Sequence, residues 1–201
     1  LIEGGPTKSY NKTRGMLISE PEIWNRLMEK LADMSIEYLS MQARAGANAL
    51  QIFDSWVGAV NSTEYEQAIF PHMKRIISTV KSRFPNLPLA MNGVGTDHLV
   101  STWAKLPLDV IALDWRSSLG AAKDRGVTQT VQGNLDPAYL YGDTKTIAKV
   151  VDEILMDGVR HGKHVFNLGH GVFPEADPAK LHWLTDYVHE KSRELWARES
   201  R

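Results

Sequence analysis

Short apolar runs alternate with segments of helical periodicity along most of this chain, and this alternation limits its possible folds more than any other feature. A long amphipathic helix is predicted over 20–44, with an apolar stripe of Ile23, Leu27, Leu31, Met34, Tyr38 and Met41. Five short apolar runs follow it, at 49–53, 89–91, 110–113, 130–132 and 164–166. Each run precedes a predicted helix, at 64–83, 98–105, 119–124, 144–156 and 179–196. Strands and helices in this order predict a parallel sheet covered by helices, either an open Rossmann-like sheet or a closed barrel.

The loops that follow the five strands share one chemical character. Each carries glycine or small polar residues, at 54–58, 92–95, 114–117, 133–137 and 167–171. Ligands of barrels and doubly wound sheets bind at the carboxyl ends of the strands. We therefore expect one shared pocket, and this distribution of loops favours the barrel over the open sheet.

The predicted barrel is incomplete. An eight-fold βα barrel usually needs about 250 residues, whereas this chain has 201 residues and five predicted βα units. Glu3, Gly4 and Gly5 resemble the end of a loop after a sixth strand, and the chain opens with Leu1 rather than Met. We expect one domain over 1–201, the carboxy-terminal part of a (βα)8 TIM-type barrel, whose open sheet edges favour association with the remaining part or with further copies.

The composition excludes several classes of function. Lys and Arg total 23 while Asp and Glu total 24, so no basic excess points to nucleic acid. The chain has no cysteine, which removes disulfides, thiolate nucleophiles and Cys-ligated metals, and its histidines lack metal-site spacing. No apolar run reaches the ~20 residues of a membrane helix and no signal peptide opens the chain, so we expect a cytoplasmic protein without a metal.

Two loops hold side chains suited to a polar ligand. His170 lies between Gly169 and Gly171 just past the fifth strand, where an exposed imidazole beside backbone N–H groups suits an anion. A structural histidine in a glycine turn is the alternative. Asp54 and Ser55 end the first strand and could bind a polar group, but the residues around Ser55 do not form the G-x-S-x-G of a serine hydrolase.

The other loops receive simpler interpretations. We expect Asp136 to cap a helix that begins at Pro137, rather than to act in catalysis. The loop at 92–95 lacks the full G-x-G-x-x-G pattern of a dinucleotide site and is expected to leave room beside a ligand. Trp56 and Trp115 stand at strand ends, where they could either pack in the core or floor a pocket.

Five segments resemble the uroporphyrinogen decarboxylase family in order and spacing: 1–5 (LIEGG), 50–58 (LQIFDSWVG), 113–115 (LDW), 131–137 (VQGNLDP) and 167–174 (NLGHGVFP). The resemblance implies a distorted (βα)8 barrel, usually a homodimer. It also implies removal of carbon dioxide from the four acetate side chains of uroporphyrinogen, giving coproporphyrinogen without a metal or an organic cofactor. By the same resemblance, Phe53, Ser55 and His170 line the substrate cleft.

The resemblance also indicates what this chain lacks. The family's arginine, its central aspartate and a tyrosine precede the segment that matches 1–5, so no catalytic residue is assigned here. We therefore expect the 201 residues alone to be inactive. One alternative is a non-catalytic assembly fragment. Another is a related cobalamin-dependent methyltransferase barrel, which the absence of cysteine disfavours because that family holds zinc through His and Cys.

Overall fold

Five parallel strands form the single sheet of the computed structural model, which describes residues 2–199. The strands are β1 (Leu50–Phe53), β2 (Leu89–Asn92), β3 (Val110–Ala112), β4 (Thr130–Leu135) and β5 (His164–Leu168). Leu1, Ser200 and Arg201, which belong to the predicted domain, lie outside the described residues. All five strand predictions are confirmed; β2, β4 and β5 extend one, three and two residues further than expected, whereas β1 and β3 are each one residue shorter.

The order of the strands separates the two architectures that the sequence allows. In a doubly wound sheet the strand order reverses at a switch point. Here the spatial order is the sequence order, β1-β2-β3-β4-β5, and every neighbouring pair is parallel. Each crossover therefore moves the chain one strand further in the same direction, as in a βα barrel, and the sheet is an arc of five strands with two open edges.

Within residues 2–199, seven α-helices accompany the sheet. They are α1 (Asn11–Ser19), α2 (Pro21–Arg44), α3 (Ser62–Ala68), α4 (Phe70–Arg83), α5 (Val100–Trp103), α6 (Thr144–His161) and α7 (Pro178–Glu199). Short 3₁₀ helices occur in the loops after β1 to β4, at Val57–Ala59, Asp97–Leu99, Lys123–Arg125 and Pro137–Tyr141. None of the helices over 2–199 is long and apolar enough to cross a membrane.

Three helical segments differ from expectation. The helix predicted over 64–83 is divided at Ile69, because Pro71 begins a new helix there. The helix predicted over 119–124 is reduced to a 3₁₀ turn, and Gly120 in that segment lies so close to the Asp157 carboxylate that a Cβ there would displace this side chain. Helix α1, which has no clear apolar periodicity, is not predicted from the sequence.

The core lies between the sheet and the helices on its outer side, in two clusters. The larger cluster includes Ile77, Met91 and Ile111, and the smaller one joins α6 and α7 to the end of β4. Ile154 of α6 packs against both clusters. Strand side chains that face the helices are therefore held firmly, which fixes the positions of the loops that follow the strands.

Helix α2 has two apolar faces. Trp24, Ile36 and Leu39 are buried against the rest of the molecule. The stripe used to predict the helix points elsewhere, and its members Met34 and Tyr38 are about 60% exposed, at 62% and 58%. The sequence pattern therefore identified the helix correctly but marked the face that the described residues leave open.

Candidate substrate site at the carboxyl ends of the strands

A cavity of about 1820 Å³ opens between α2 and the carboxyl ends of β1 to β3. Its two sides differ in chemistry. One side is apolar and is formed by Leu27, Leu31, Met34 and Tyr38 of α2, which we call the α2 wall. The other side belongs to the loops that follow the strands, which we call the rim.

The loop after β1 brings an isolated carboxylate to the cavity. Asp54 lines the cavity and its carboxylate makes no hydrogen bond or ion pair with residues 2–199. Burial raises the pKa of Asp54 from its ordinary value of 3.8 to about 6, because the charged form loses hydration without gaining a partner. Near neutral pH this group can therefore both hold and release a proton.

Three neighbours of Asp54 also face the cavity. The Ser55 hydroxyl has no hydrogen-bond partner within the described part of the chain, so it is free to bind a ligand. Phe53 and Trp56 are 69% and 65% exposed, an unusual state for large aromatic side chains. Tyr10 lies next to Trp56, with ring centroids 6.5 Å apart, so aromatic surface continues toward α1.

The loop after β3 supplies a positive charge. The Arg116 guanidinium lies on the face of Trp115, 3.8 Å from the ring centroid, and lines the cavity. One of its N–H groups donates to Asp114 Oδ2 at 2.9 Å. The Asp114 side chain is only 1% exposed, so this carboxylate holds Arg116 from inside the protein.

His170, in the loop after β5, joins the same group of side chains. Its ring packs edge-on against Trp115, with centroids 5.8 Å apart. The Gly171 N–H donates to His170 Nδ1 at 2.6 Å, which leaves Nε2 as the nitrogen that carries the proton of the neutral ring. The exposed imidazole thus presents a hydrogen-bond donor at the rim, as an oxyanion ligand would require.

Hydrogen bonds between adjacent loops fasten the rim. Asp114 Oδ2 also accepts from the Gly95 N–H of the β2 loop, and the Asn134 side-chain amide donates to the carbonyl oxygens of Asp114 and Ser117 at 2.9 and 2.7 Å. A Cβ at Gly169 would lie 2.5 Å from the Trp115 nitrogen. The loops after β2, β3 and β5 and the end of β4 therefore form one connected surface.

The glycines of the rim differ in what they make room for: Gly95 lines the cavity and a Cβ there would meet nothing within 4 Å, whereas Gly58 and Gly93 make room for protein. A Cβ at Gly58 would meet the Val94 carbonyl oxygen at 2.4 Å, and one at Gly93 would meet the Trp103 ring at 2.8 Å. The expectation that the loop at 92–95 leaves space beside a ligand is therefore wrong at Gly93. At these positions a side chain would push neighbouring loops apart.

The structure places the predicted site residues along one edge of the sheet. Phe53 and Ser55 face the cavity directly, whereas His170 lies further along the rim and connects to the cavity through Trp115 and Arg116. Asp136 accepts from the Ala138 N–H at 2.9 Å and caps the 3₁₀ helix, so the capping prediction is confirmed, although the helix is shorter than expected.

Sequence reasoning missed Asp114 and Arg116 as individual site residues. The available signal was a charged pair around Trp115, directly after a buried strand. Two of the remaining histidines have structural surroundings: Nε2 of His161 contacts the Gln129 carbonyl oxygen and Nε2 of His164 contacts that of Gly133. Over 2–199, no three His, Asp or Glu side chains converge as a metal site would require.

The strand order and the position of the rim identify the class of protein: this chain is a βα-barrel protein whose candidate site lies at the carboxyl ends of parallel strands. Residues 1–191 match the family model described as "Uroporphyrinogen decarboxylase (URO-D)". The chain belongs to the uroporphyrinogen decarboxylase family, and the resemblance noted in the sequence is confirmed.

Relatives that carry the name uroporphyrinogen decarboxylase share about half of their aligned residues with this chain. The protein of Geobacillus sp. (strain WCH70) is 52% identical over 190 residues, and that of Oceanobacillus iheyensis is 51% identical over 194. The Bacillus subtilis protein is 51% identical over 193 residues. These alignments cover 94–96% of this chain but only 54–56% of each relative, so the chain spans about half the length of the curated relatives it matches.

A solved structure supports the fold independently. A methyltransferase from Methanosarcina mazei superposes with a TM-score of 0.76 over 94% of this chain and 54% of that protein. The sequences are 15% identical, so this likeness concerns the fold alone. Together with the strand order, it confirms the predicted incomplete (βα)8 barrel of about five βα units.

Proposed function

We propose that this chain forms part of a carboxy-lyase that removes carbon dioxide from the four acetate side chains of uroporphyrinogen, giving coproporphyrinogen in tetrapyrrole biosynthesis. The observation that carries the proposal is the identity of about 50% to relatives named uroporphyrinogen decarboxylase, over nearly all of this chain. The activity belongs to proteins about twice as long, so the chain is proposed to supply one side of the site.

The decarboxylation requires the protein to supply proton donors and to stabilise charge. A protonated pyrrole ring can accept the electron pair that is left when the bond to the carboxylate carbon breaks. Carbon dioxide leaves, the side-chain carbon then takes a proton to become a methyl group, and the ring releases the proton that it had accepted, which restores the neutral pyrrole. A neighbouring acid that exchanges protons near neutral pH would serve both protonation steps.

The cavity offers groups for these tasks. We assign proton exchange near the substrate to Asp54, whose carboxylate makes no hydrogen bond or ion pair with residues 2–199 and whose pKa is raised by burial to about 6. Ser55 and His170 are proposed to donate hydrogen bonds to substrate carboxylates, and Phe53 to pack against the macrocycle. These roles are supported by the free hydroxyl of Ser55, the bond at Nδ1 of His170 and the exposure of Phe53.

A chimera tests the function most directly. This chain would replace the matching residues of the Bacillus subtilis decarboxylase, and the carboxylate content of the porphyrins would be followed by chromatography after oxidation. We expect the chimera to form coproporphyrinogen at a rate within about tenfold of the parent. A folded chimera that leaves uroporphyrinogen unchanged would overturn the proposed function.

The same assay applied to the 201-residue chain tests its dependence on further residues. We expect less than about a hundredth of the parental turnover, since none of the cavity residues described here replaces the family's arginine and central aspartate. Turnover near that of the parent would contradict this expectation and leave the proposed function intact.

We also propose that the chain associates through its open surfaces, with further barrel elements or as a homodimer. The α2 wall exposes Met34 and Tyr38, and β1 and β5 each leave one edge unpaired within the sheet. Exposed apolar surface and free strand edges favour association. Light scattering should show species larger than 22.5 kDa, and a monodisperse monomer would contradict the proposal. A cytoplasmic location stays a prediction from the sequence.

A further inference from the structure

The Arg116 guanidinium keeps most of its N–H groups available for a ligand, although it forms an ion pair with Asp114. Its single bond to Asp114 occupies one of the five N–H groups of a guanidinium. Within residues 2–199 no other acceptor bonds to it, and its side chain is 51% exposed where it lines the cavity. The remaining donors are therefore available on the cavity side.

The orientation of this guanidinium is set before any ligand arrives. Asp114 is buried and accepts from the backbone N–H groups of Gly95 and Arg116 as well as from the guanidinium, so it has little freedom to move. The Trp115 ring supports the flat face of the guanidinium, and His170 supports the ring from its edge. An arginine fixed in this way loses little side-chain entropy when it binds a carboxylate through two N–H groups.

Arg116 is also connected to one of the proposed hydrogen-bond donors, His170, because both side chains pack against Trp115. Two other cationic residues line the cavity, Lys8 and Arg14, and both come from the segment before α2. Arg14 pairs with Glu64 at 3.1 Å. Arg116 instead shares the rim with Trp115 and His170.

We propose that Arg116 binds a carboxylate of the substrate at the rim and so selects polycarboxylate tetrapyrroles, an inference that rests on the proposed function. The planar guanidinium, held from behind by Asp114, offers two parallel donors to the carboxylate, and His170 flanks the same indole. Arg116 is a binding and specificity residue here and takes no part in proton transfer.

The alternative is a purely structural ion pair that closes the loop after β3, and substitutions separate the two. Arg116→Gln keeps a neutral donor for Asp114 but removes the charge. Arg116→Lys keeps the charge but loses the two parallel N–H donors of the guanidinium. Arg125→Ala is a matched control, because Arg125 is likewise paired with an aspartate of a neighbouring loop, Asp97, but does not line the cavity.

The experiment measures binding of uroporphyrin, the oxidised octacarboxylate analogue, to the 201-residue chain by fluorescence anisotropy at two salt concentrations. Arg116→Gln should raise the dissociation constant about tenfold and weaken its salt dependence. Arg116→Lys should raise it about threefold, and Arg125→Ala less than twofold. Each variant is first checked by circular dichroism; should Arg116→Gln fail to fold, Arg116→Lys and the salt dependence carry the test.

In the chimera the same Arg116→Gln change should raise KM about tenfold and leave kcat within about twofold. An active chimera in which Arg116→Gln changes neither KM nor the dissociation constant would overturn this inference while the proposed function stands. Failure of the unsubstituted chimera would instead overturn the proposed function and this inference with it.

Discussion

The rim and the α2 wall face the same cavity but are built in opposite ways. At the rim, Asp114 and Asn134 connect the loops after β2 and β3 to each other and to the end of β4 by hydrogen bonds to backbone groups. On the α2 wall, Met34 and Tyr38 are largely exposed and have no comparable partners among the described residues. Polar groups of the rim are thus held in place by contacts within the fold, whereas the α2 wall is an apolar surface that further protein could cover.

The largest expected effect comes from pushing two rim loops apart. Gly169→Val places a side chain against the Trp115 backbone, where even a Cβ would lie 2.5 Å from the nitrogen. We expect a loss of about 3 kcal/mol in the free energy of unfolding, measured with urea. Gly171→Ala in the same loop is the control, since its Cβ meets nothing within 4 Å. Equal losses for both would show that the rim is not tightly fastened.

A pH-dependent effect is expected at Asp54. Its pKa is higher in the folded protein, about 6, than its ordinary value of 3.8, so its contribution to stability is complete below pH 3.8 and is lost as the pH rises through about 6. Asp54→Asn removes the cost of a buried charge. The variant should be more stable than the parent by about 2 kcal/mol at pH 8 and nearly equal to it at pH 4. A difference of the same size at both pH values would contradict the assignment.

A smaller effect is expected at the cap of the loop after β4. Asp136→Ala removes the acceptor for the Ala138 N–H, which should cost about 1 kcal/mol of unfolding free energy. Binding of uroporphyrin should change less than twofold, because Asp136 does not line the cavity. Asp136→Asn should restore most of the stability, since asparagine caps as well. A large loss of binding would give this residue a role in the site.

The smallest change in stability is expected on the α2 wall. Met34→Ser alters a side chain that is 62% exposed, so the unfolding free energy should change by less than about 0.5 kcal/mol. Its effect should appear instead in light scattering, as weaker self-association. Met156→Ser on α6, which is 43% exposed and away from the cavity, should leave association unchanged. Identical behaviour of the two variants would remove the distinction between the wall and ordinary surface.

The strands and the long helices could be predicted from the sequence because their patterns are local. Val131 and Ile111 lie in short apolar runs, and α2 and α6 have helical periodicity over many residues. The choice of the buried face of α2 could not be predicted, because apolar residues occupy two faces and only tertiary contact selects Ile36 over Met34.

Only part of the site could be predicted from the sequence, because the other part also depends on tertiary contacts. Residues at strand ends indicated the correct edge of the sheet, and Phe53, Ser55 and His170 all lie along it. The importance of Asp114 and Arg116 depends on contacts between loops that are 19 or more residues apart, such as the bond from Gly95 to Asp114. No local pattern distinguishes such a pair from ordinary polar loop residues.

The sequential strand order has a consequence for how the molecule is made on the ribosome. Each new strand pairs with the strand synthesised just before it, so its partner is already present at the growing edge. Contacts of short range in sequence form with little loss of loop entropy. The arc can therefore be assembled unit by unit in the direction of translation, without waiting for a distant segment to emerge.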